Sequence, residues 1–309
     1  MHHEHLVRRF ADAGLTVVVF DRPIVGGVIR GNGDIVQIDI QRDRRREWFR
    51  IYPGAADNRI EVVGIDKKIS QLVLMVHEVA REFFEDVAYA RWCEIVGKDG
   101  WVETLAQTLG VQARDIFVRN ARHGRTILNV TIRHRTPSAK RHFLCGVDER
   151  QLFIAQLPRA VSSVREAHAS LKSTTVSLAE GQGFRAERQG EWFFVEPTPQ
   201  ELMAIDVGFR KKIITVERNV PIGPFTVAGG LRGPRVRQFG GNPHTADELI
   251  VLPGTPVENG FVVRNRREVF IRGRVRHVDH ATVKFSDWRK VIRNAEANEG
   301  KARGVFWVD

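Results

Sequence analysis

The chain has 309 residues, of which 42% are hydrophobic and 28% charged. This balance excludes an intrinsically disordered protein, and the length favours two or three folded units. The formal net charge of +11 predicts a positive surface that attracts polyanions, of which nucleic acid is the most common. No apolar run approaches the ~18 residues needed to cross a bilayer, so we expect no integral membrane contact.

The chain contains two cysteines, Cys93 and Cys145, which lie far apart and outside any C-x-x-C pair. This spacing excludes a disulfide framework and a zinc ribbon. The polar start around His2, His3 and His5 lacks the apolar core of a secretory signal. The sequence therefore predicts a cytoplasmic protein.

The first unit, residues 1–97, begins with alternating apolar and polar positions that predict an antiparallel meander. Gly31-Asn32-Gly33 is a hairpin signal, because these residues accept the positive φ of a tight reversal. From Lys67 the apolar spacing changes to three and four, which predicts a long helix ending near Phe84, with Asp66 as its N-cap.

The second unit, residues 98–177, is predicted as a small α+β unit with helices at Val102–Leu109 and after the capping box formed by Ser163 and Glu166. The third, residues 178–309, is mainly β. It contains a second capping box from Thr198 to Glu201, a Gly- and Pro-rich loop over residues 221–243, and a final strand near residues 304–308. Together the three units predict an α+β fold of antiparallel sheets with packed helices.

A basic β-hairpin is the strongest functional signal. Residues 261–293 contain ten Arg or Lys residues against three acids. A strand over residues 269–277 would place Arg272, Arg274 and Arg276 on one face, where fixed cations can bind RNA or DNA and Trp288 can stack on a base. The remaining predicted contacts are Arg264, Arg266, Arg267, Lys284, Arg289, Lys290 and Arg293. The alternative is a solvated face whose arginines pair with acids from elsewhere in the fold.

A second basic cluster contains Arg44, Arg45 and Arg46, flanked by Arg42 and Arg50, in a predicted hairpin turn of the first unit. The cluster would extend the nucleic-acid surface if it faced the same side as the basic hairpin. Alternatively, it is a charged turn that prevents strand edges from aggregating.

The histidines support a different hypothesis, a metal-assisted hydrolase or nuclease that uses His244, His277, Asp279 and His280. In an extended strand His277 and Asp279 share a side and His280 points away, so one ion would take all three only at a turn. We therefore predict His277, Asp279 and His244 as metal ligands under this hypothesis, with a divalent metal as cofactor. The nucleic-acid hypothesis requires no cofactor. A scaffold subunit of a larger assembly is the third alternative.

Overall fold

The structure is a computed structural model. It describes residues 3–22, 24, 35–44, 46–90, 99–120, 127–149, 151–222, 244–252, 268–278 and 280–295. In this part of the chain, antiparallel pairing dominates the sheets and helices pack against them, which confirms the predicted α+β class. No helix in these ranges combines the length and apolar character that crossing a membrane requires.

The helices are α1 (Glu4–Asp12), α2 (Trp101–Leu109), α3 (Val164–Leu171), α4 (Thr174–Gly181) and α5 (Pro199–Arg210). The strands of the first half are β1 (Val17–Val19), β2 (Gln37–Arg42), β3 (Glu47–Tyr52), β4 (Arg59–Asp66), β5 (Gln71–Glu78), β6 (Arg81–Ala90), β7 (Ile116–Asn120), β8 (Ile127–Thr136), β9 (Ala139–Asp148) and β10 (Gln151–Gln156). The strands of the second half are β11 (Ala186–Gln189), β12 (Trp192–Val195), β13 (Glu217–Ile222), β14 (His244–Leu252), β15 (Glu268–Arg276) and β16 (Val283–Arg293).

Two sheets share the N-terminal core. One has the order β1-β3-β2 and the other the order β10-β9-β5-β4. Phe10 of α1 packs edge-on against Phe49 of β3, with ring centroids 5.4 Å apart, and both residues belong to one buried cluster with Leu74 and Phe143. The second sheet crosses the predicted unit boundary at residue 97, because β5 pairs along its full length with β9.

The predicted helix from Lys67 to Phe84 was wrong, because strands β5 and β6 occupy this stretch. Residues 71–76 of β5 are all buried, since the strand lies between β4 and β9 and is covered on both faces. An apolar run buried on both faces carries apolar residues at every spacing, so it also satisfies the helical period. Asp66 does not cap a helix; its Oδ1 accepts the Lys68 backbone amide in the turn between β4 and β5.

A small sheet of order β6-β8-β7 is inserted between β5 and β9. Its covered face packs against α2 through a cluster that includes Leu105, Ile116 and Val130. The helix predicted at Val102–Leu109 is confirmed, and Gly110 follows it with a φ of 66°, as expected for a helix C-cap.

The C-terminal sheet has six strands in the order β11-β12-β16-β15-β14-β13. One buried cluster contains Trp192, Leu249 and Ile271, while a second contains Phe270 and Trp288 together with Ile205 of α5. Both predicted capping boxes are present: Ser163 with Glu166 begins α3, and Thr198 with Glu201 begins α5. The turn at residues 31–33, most of the Gly- and Pro-rich loop and the predicted final strand lie outside the described residues.

Candidate metal centre

Three histidines meet at one end of the C-terminal sheet. His244 is the first residue of β14, and His277 directly follows β15, whose last residue, Arg276, is paired with Thr245. His280 lies in the connection from β15 to β16. Because β14 and β15 are antiparallel neighbours, the start of one and the end of the other reach the same edge of the sheet.

The three imidazoles are packed closely together. Each offers one ring nitrogen, and these three atoms all lie within 4.8 Å of one another. The ring centroid of His277 is 4.3 Å from that of His244 and 5.0 Å from that of His280. The His244 and His280 centroids are 5.6 Å apart. Such a grouping of imidazoles is a ligand set suited to zinc, copper, iron or nickel.

His244 is the most buried member, with 2% of its surface exposed. Its Nε2 is buried and has no hydrogen-bond partner among the described residues, and the same holds for Nδ1 of His280. Burial, followed by the repulsion expected from His277 and His280, lowers the pKa of His244 to about 3. His244 is therefore neutral near pH 7, which is the form that binds a metal.

Gly190, in the turn between β11 and β12, lies close against the rings of this cluster. A Cβ atom at this position would lie 3.0 Å from Nε2 of His280 and 3.3 Å from Nε2 of His244. The φ of Gly190 is +57°, which also favours glycine. The absence of a side chain at residue 190 therefore permits the rings of His244 and His280 to approach the main chain closely.

The main chain next to His280 is held on both sides. The carbonyl oxygen of Ala281 accepts a hydrogen bond from Nε2 of Gln189, whose side chain is buried. The backbone amide of Ala281 donates a hydrogen bond to Oε2 of Glu149. Gln189 precedes Gly190, while Glu149 comes from the turn between β9 and β10 in a different sheet. These contacts are tertiary, so the sequence contains no signal that could have identified Gly190, Gln189 or Glu149.

Binding of one ion would require the rings to rotate, because those of His244 and His277 are stacked with 21° between their planes and a nitrogen lone pair lies in its ring plane. Tetrahedral zinc with Zn–N bonds of about 2.0–2.1 Å places two ligand nitrogens about 3.4 Å apart. The three nitrogens lie within 4.8 Å of one another, and rotations about the histidine side-chain bonds are the movement that could bring them to the shorter separation. Three protein ligands leave a fourth position for water, which is typical of catalytic rather than structural zinc sites.

The structure brings together two of the three predicted metal ligands, His244 and His277, and adds His280 to them. His280 was not among the three predicted ligands because it would point away from His277 in a continuous strand. Here β15 ends at Arg276, so the alternation of a strand does not apply to His280. Asp279, the third predicted ligand, lies outside the described residues.

The predicted arginine row on β15 is paired with carboxylates of its neighbour, β14. Arg272 contacts Glu248 at 2.7 Å, while Arg274 and Arg276 contact Asp247 at 3.0 and 2.7 Å. The backbone amide of Arg274 also donates to Asp247, and these interactions lower the pKa of that carboxyl. The row therefore carries less free positive charge than the sequence predicts.

The other residues of the predicted nucleic-acid surface are mostly engaged as well. Trp288 is 8% exposed, and the Arg272 guanidinium lies 4.7 Å from its ring centroid, so this ring does not offer an open face to a base. Arg289 pairs with Glu196 at 2.9 Å, and Lys290 pairs with both Glu201 and Glu268. Lys284 is exposed and Arg293 is half-buried, while Arg264, Arg266 and Arg267 lie outside the described residues.

The second basic cluster is partly paired within its own hairpin. Arg42 contacts Glu47 at 2.6 Å, and Arg46 contacts Asp43 at 3.5 Å. Arg50 pairs with the buried Asp39. Arg44 is exposed, and Arg45 lies outside the described residues.

No protein-family model, curated protein or solved structure matches this chain.

Proposed function

We propose that this protein binds a divalent transition metal of the zinc class through His244, His277 and His280. The observation that carries the proposal is the meeting of three imidazoles, one nitrogen from each within 4.8 Å of the others, together with the buried Nε2 of His244, which has no hydrogen-bond partner among the described residues. A buried polar atom without a partner costs about 1–3 kcal/mol, so a protein that keeps one gains from a ligand that satisfies it. A metal ion accepts the nitrogen lone pair and removes that cost.

Metal-assisted hydrolysis is the reaction class that such a centre supports. A zinc ion held by three neutral imidazoles lowers the pKa of a bound water to about 7 and so supplies hydroxide at neutral pH. The contribution of the chain would be to hold the three imidazoles at one point, with His244 neutral, and to leave the remaining position open. The substrate is not specified by these residues.

Zinc affinity, measured by competition with a chromophoric chelator, tests the proposal. The N-terminal histidines can also chelate metal, so every protein should carry the substitutions His2→Ala, His3→Ala and His5→Ala. We expect this parent protein to bind one equivalent of zinc, and His244→Ala to weaken binding by a factor of at least a hundred because one of three ligands is lost.

His77→Ala is the matched control. Nε2 of His77 lies 3.2 Å from the Ser138 hydroxyl in an exposed position, away from the cluster. Zinc affinity should not change in this variant. A parent protein that binds no zinc, or a His244→Ala variant that retains full affinity, would remove the proposal. The spectrum of bound Co²⁺ gives a second measurement, because it reports the number and geometry of the ligands.

Nucleic-acid binding by the basic hairpin stays a prediction. It still has support from the net charge of +11 and from the exposed side chain of Lys284. The pairing of Arg272, Arg274 and Arg276 with Glu248 and Asp247 reduces that support. Polarisation assays with short RNA and DNA from 50 to 300 mM salt would test it, since counterion release makes such binding fall steeply with salt.

A further inference from the structure

The turn between β9 and β10 reaches out of its own sheet to the connection that carries His280. Residues 148 and 151 are paired at the end of the two strands, so Glu149 occupies the first position of a two-residue turn. Its carboxylate accepts the backbone amide of Ala281, the residue after His280. A side chain of the N-terminal half therefore restrains one of the three candidate ligands.

The backbone of Glu149 makes this contact notable. Its φ is +56°, in the left-handed region that glycine and asparagine occupy readily and glutamate does not. A two-residue hairpin turn favours Asn or Gly at such a position. Glutamate is therefore a poor choice for the turn itself, and its long carboxylate side chain is what permits the contact with Ala281. An unfavourable backbone conformation retained at a contact between two sheets points to a role for that contact.

We propose that Glu149 is a positioning residue for the metal centre, which holds His280 in the geometry for binding. The proposal rests on the proposed metal-binding function and deepens it. Gln189 holds the carbonyl of Ala281 from within the C-terminal sheet, and Glu149 holds the amide from outside that sheet. Ion binding and the contact between the two sheets are then coupled, and each favours the other.

The substitution Glu149→Asn separates this role from a structural one. Asparagine suits the positive φ better than glutamate but is one methylene shorter and uncharged, so it relieves the turn and weakens the contact with Ala281. We expect the metal-free variant to melt at the same temperature as the parent or higher. Its zinc affinity should nevertheless fall by roughly tenfold. Loss of a contact to a metal ligand typically lowers metal affinity by about 10- to 100-fold, and we expect the smaller effect because Glu149 is exposed.

The same substitution in a His280→Ala background provides the decisive comparison. If Glu149 acts through His280, Glu149→Asn should have no further effect on zinc affinity once the imidazole is absent. The Co²⁺ spectrum of Glu149→Asn should also shift toward that of His280→Ala. All proteins should carry the alanine substitutions at residues 2, 3 and 5.

Parental zinc affinity in Glu149→Asn would overturn the inference while leaving the metal centre intact. An equal loss in the presence and absence of His280 would also overturn it, because the effect would then not pass through that ligand. A parent that binds no zinc would remove the proposed function and this inference together, so the two failures are distinguishable.

Discussion

Two groups of side chains in the C-terminal sheet, the arginines of β15 and the three clustered histidines, differ in how their polar atoms are paired. Arg272, Arg274 and Arg276 are matched by carboxylates of β14, so their charge is largely neutralised within the sheet. His244 and His280 retain buried ring nitrogens without partners in the described residues. The density of charge in the sequence is thus a weaker indicator of a ligand than a buried polar atom that the fold leaves unsatisfied.

The largest expected effect comes from filling the space beside the histidines without removing any of them. Gly190→Ala adds a Cβ 3.0 Å from Nε2 of His280 and 3.3 Å from Nε2 of His244, so we expect zinc affinity to fall by about a hundredfold or more. The measurement is the chelator competition described above.

Gly110→Ala is the control for Gly190→Ala. Gly110 has a similar φ of +66°, but a Cβ there meets no atom within 4 Å. Both substitutions cost roughly 1–2 kcal/mol of backbone strain. Only Gly190→Ala should affect zinc binding. Equal zinc affinities of the two variants would show that contact between residue 190 and the histidine rings does not affect zinc binding.

Zinc should also stabilise the folded protein, because the ligands come together only in the native sheet. At a free zinc concentration of a hundred times Kd, the expected gain is about 2.7 kcal/mol in the free energy of unfolding. Chemical denaturation with and without a chelator measures it. The gain should disappear in His244→Ala, and its persistence there would assign the stabilisation to another site.

The arginine side of the comparison is tested by Asp247→Asn. This change removes the negative charge that pairs with Arg274 and Arg276 and leaves a single acceptor oxygen, so we expect a loss of about 1 kcal/mol in unfolding free energy. The freed cations should strengthen retention on a heparin column, so that elution requires more salt. Unchanged elution would show that the pairing does not control polyanion affinity.

The smallest effect concerns His168, a histidine whose two nitrogens both have partners. Its Nε2 lies 2.7 Å from Oε1 of Gln71, and its Nδ1 accepts from Arg188 at 3.4 Å. Burial, then the charge of Arg188, lowers the pKa of His168 below its usual 6.5.

The unfolded chain therefore takes up a proton at His168 near pH 6.5, before the folded chain does, and stability falls as the pH drops below that value. His168→Gln should flatten this part of the dependence of unfolding free energy on pH and leave zinc affinity unchanged. Identical pH profiles of the variant and the parent would contradict the shift.

Local signals in the sequence predicted local structure well. The capping boxes at Ser163 and Thr198 satisfy backbone amides within four residues, and both begin helices as expected. The predicted basic β-hairpin is likewise present within residues 268–293, where β15 pairs with β16. The wrong helix prediction at residues 67–84 has a different origin. Strand β5 pairs with β4 and with the distant β9, and these pairings bury it on both faces. Only that burial distinguishes a strand from a helix in this stretch.

The candidate site was predictable only in part, because some of its residues are close in sequence and others are brought together by strand pairing. His277 and His280 are close in sequence, and His244 was recognised as a possible partner without a means to place it. The pairing of Thr245 with Arg276 brings His244 next to His277, and this strand register is a property of the folded sheet. The acids that neutralise the arginines lie on β14 and cannot be assigned to them from sequence spacing alone.

The pairing order of the C-terminal sheet has a consequence for biosynthesis. Strand β12, which follows the turn at Gly190, pairs with β16. Because β16 is the last described strand of the sheet, β12 is synthesised well before its partner. During translation the turn at Gly190 therefore emerges long before it can be fixed against the histidines. The three histidines come from β14 and the residues after β15, so they can meet once those two strands pair, whereas their contact with Gly190 waits for the pairing of β12 with β16.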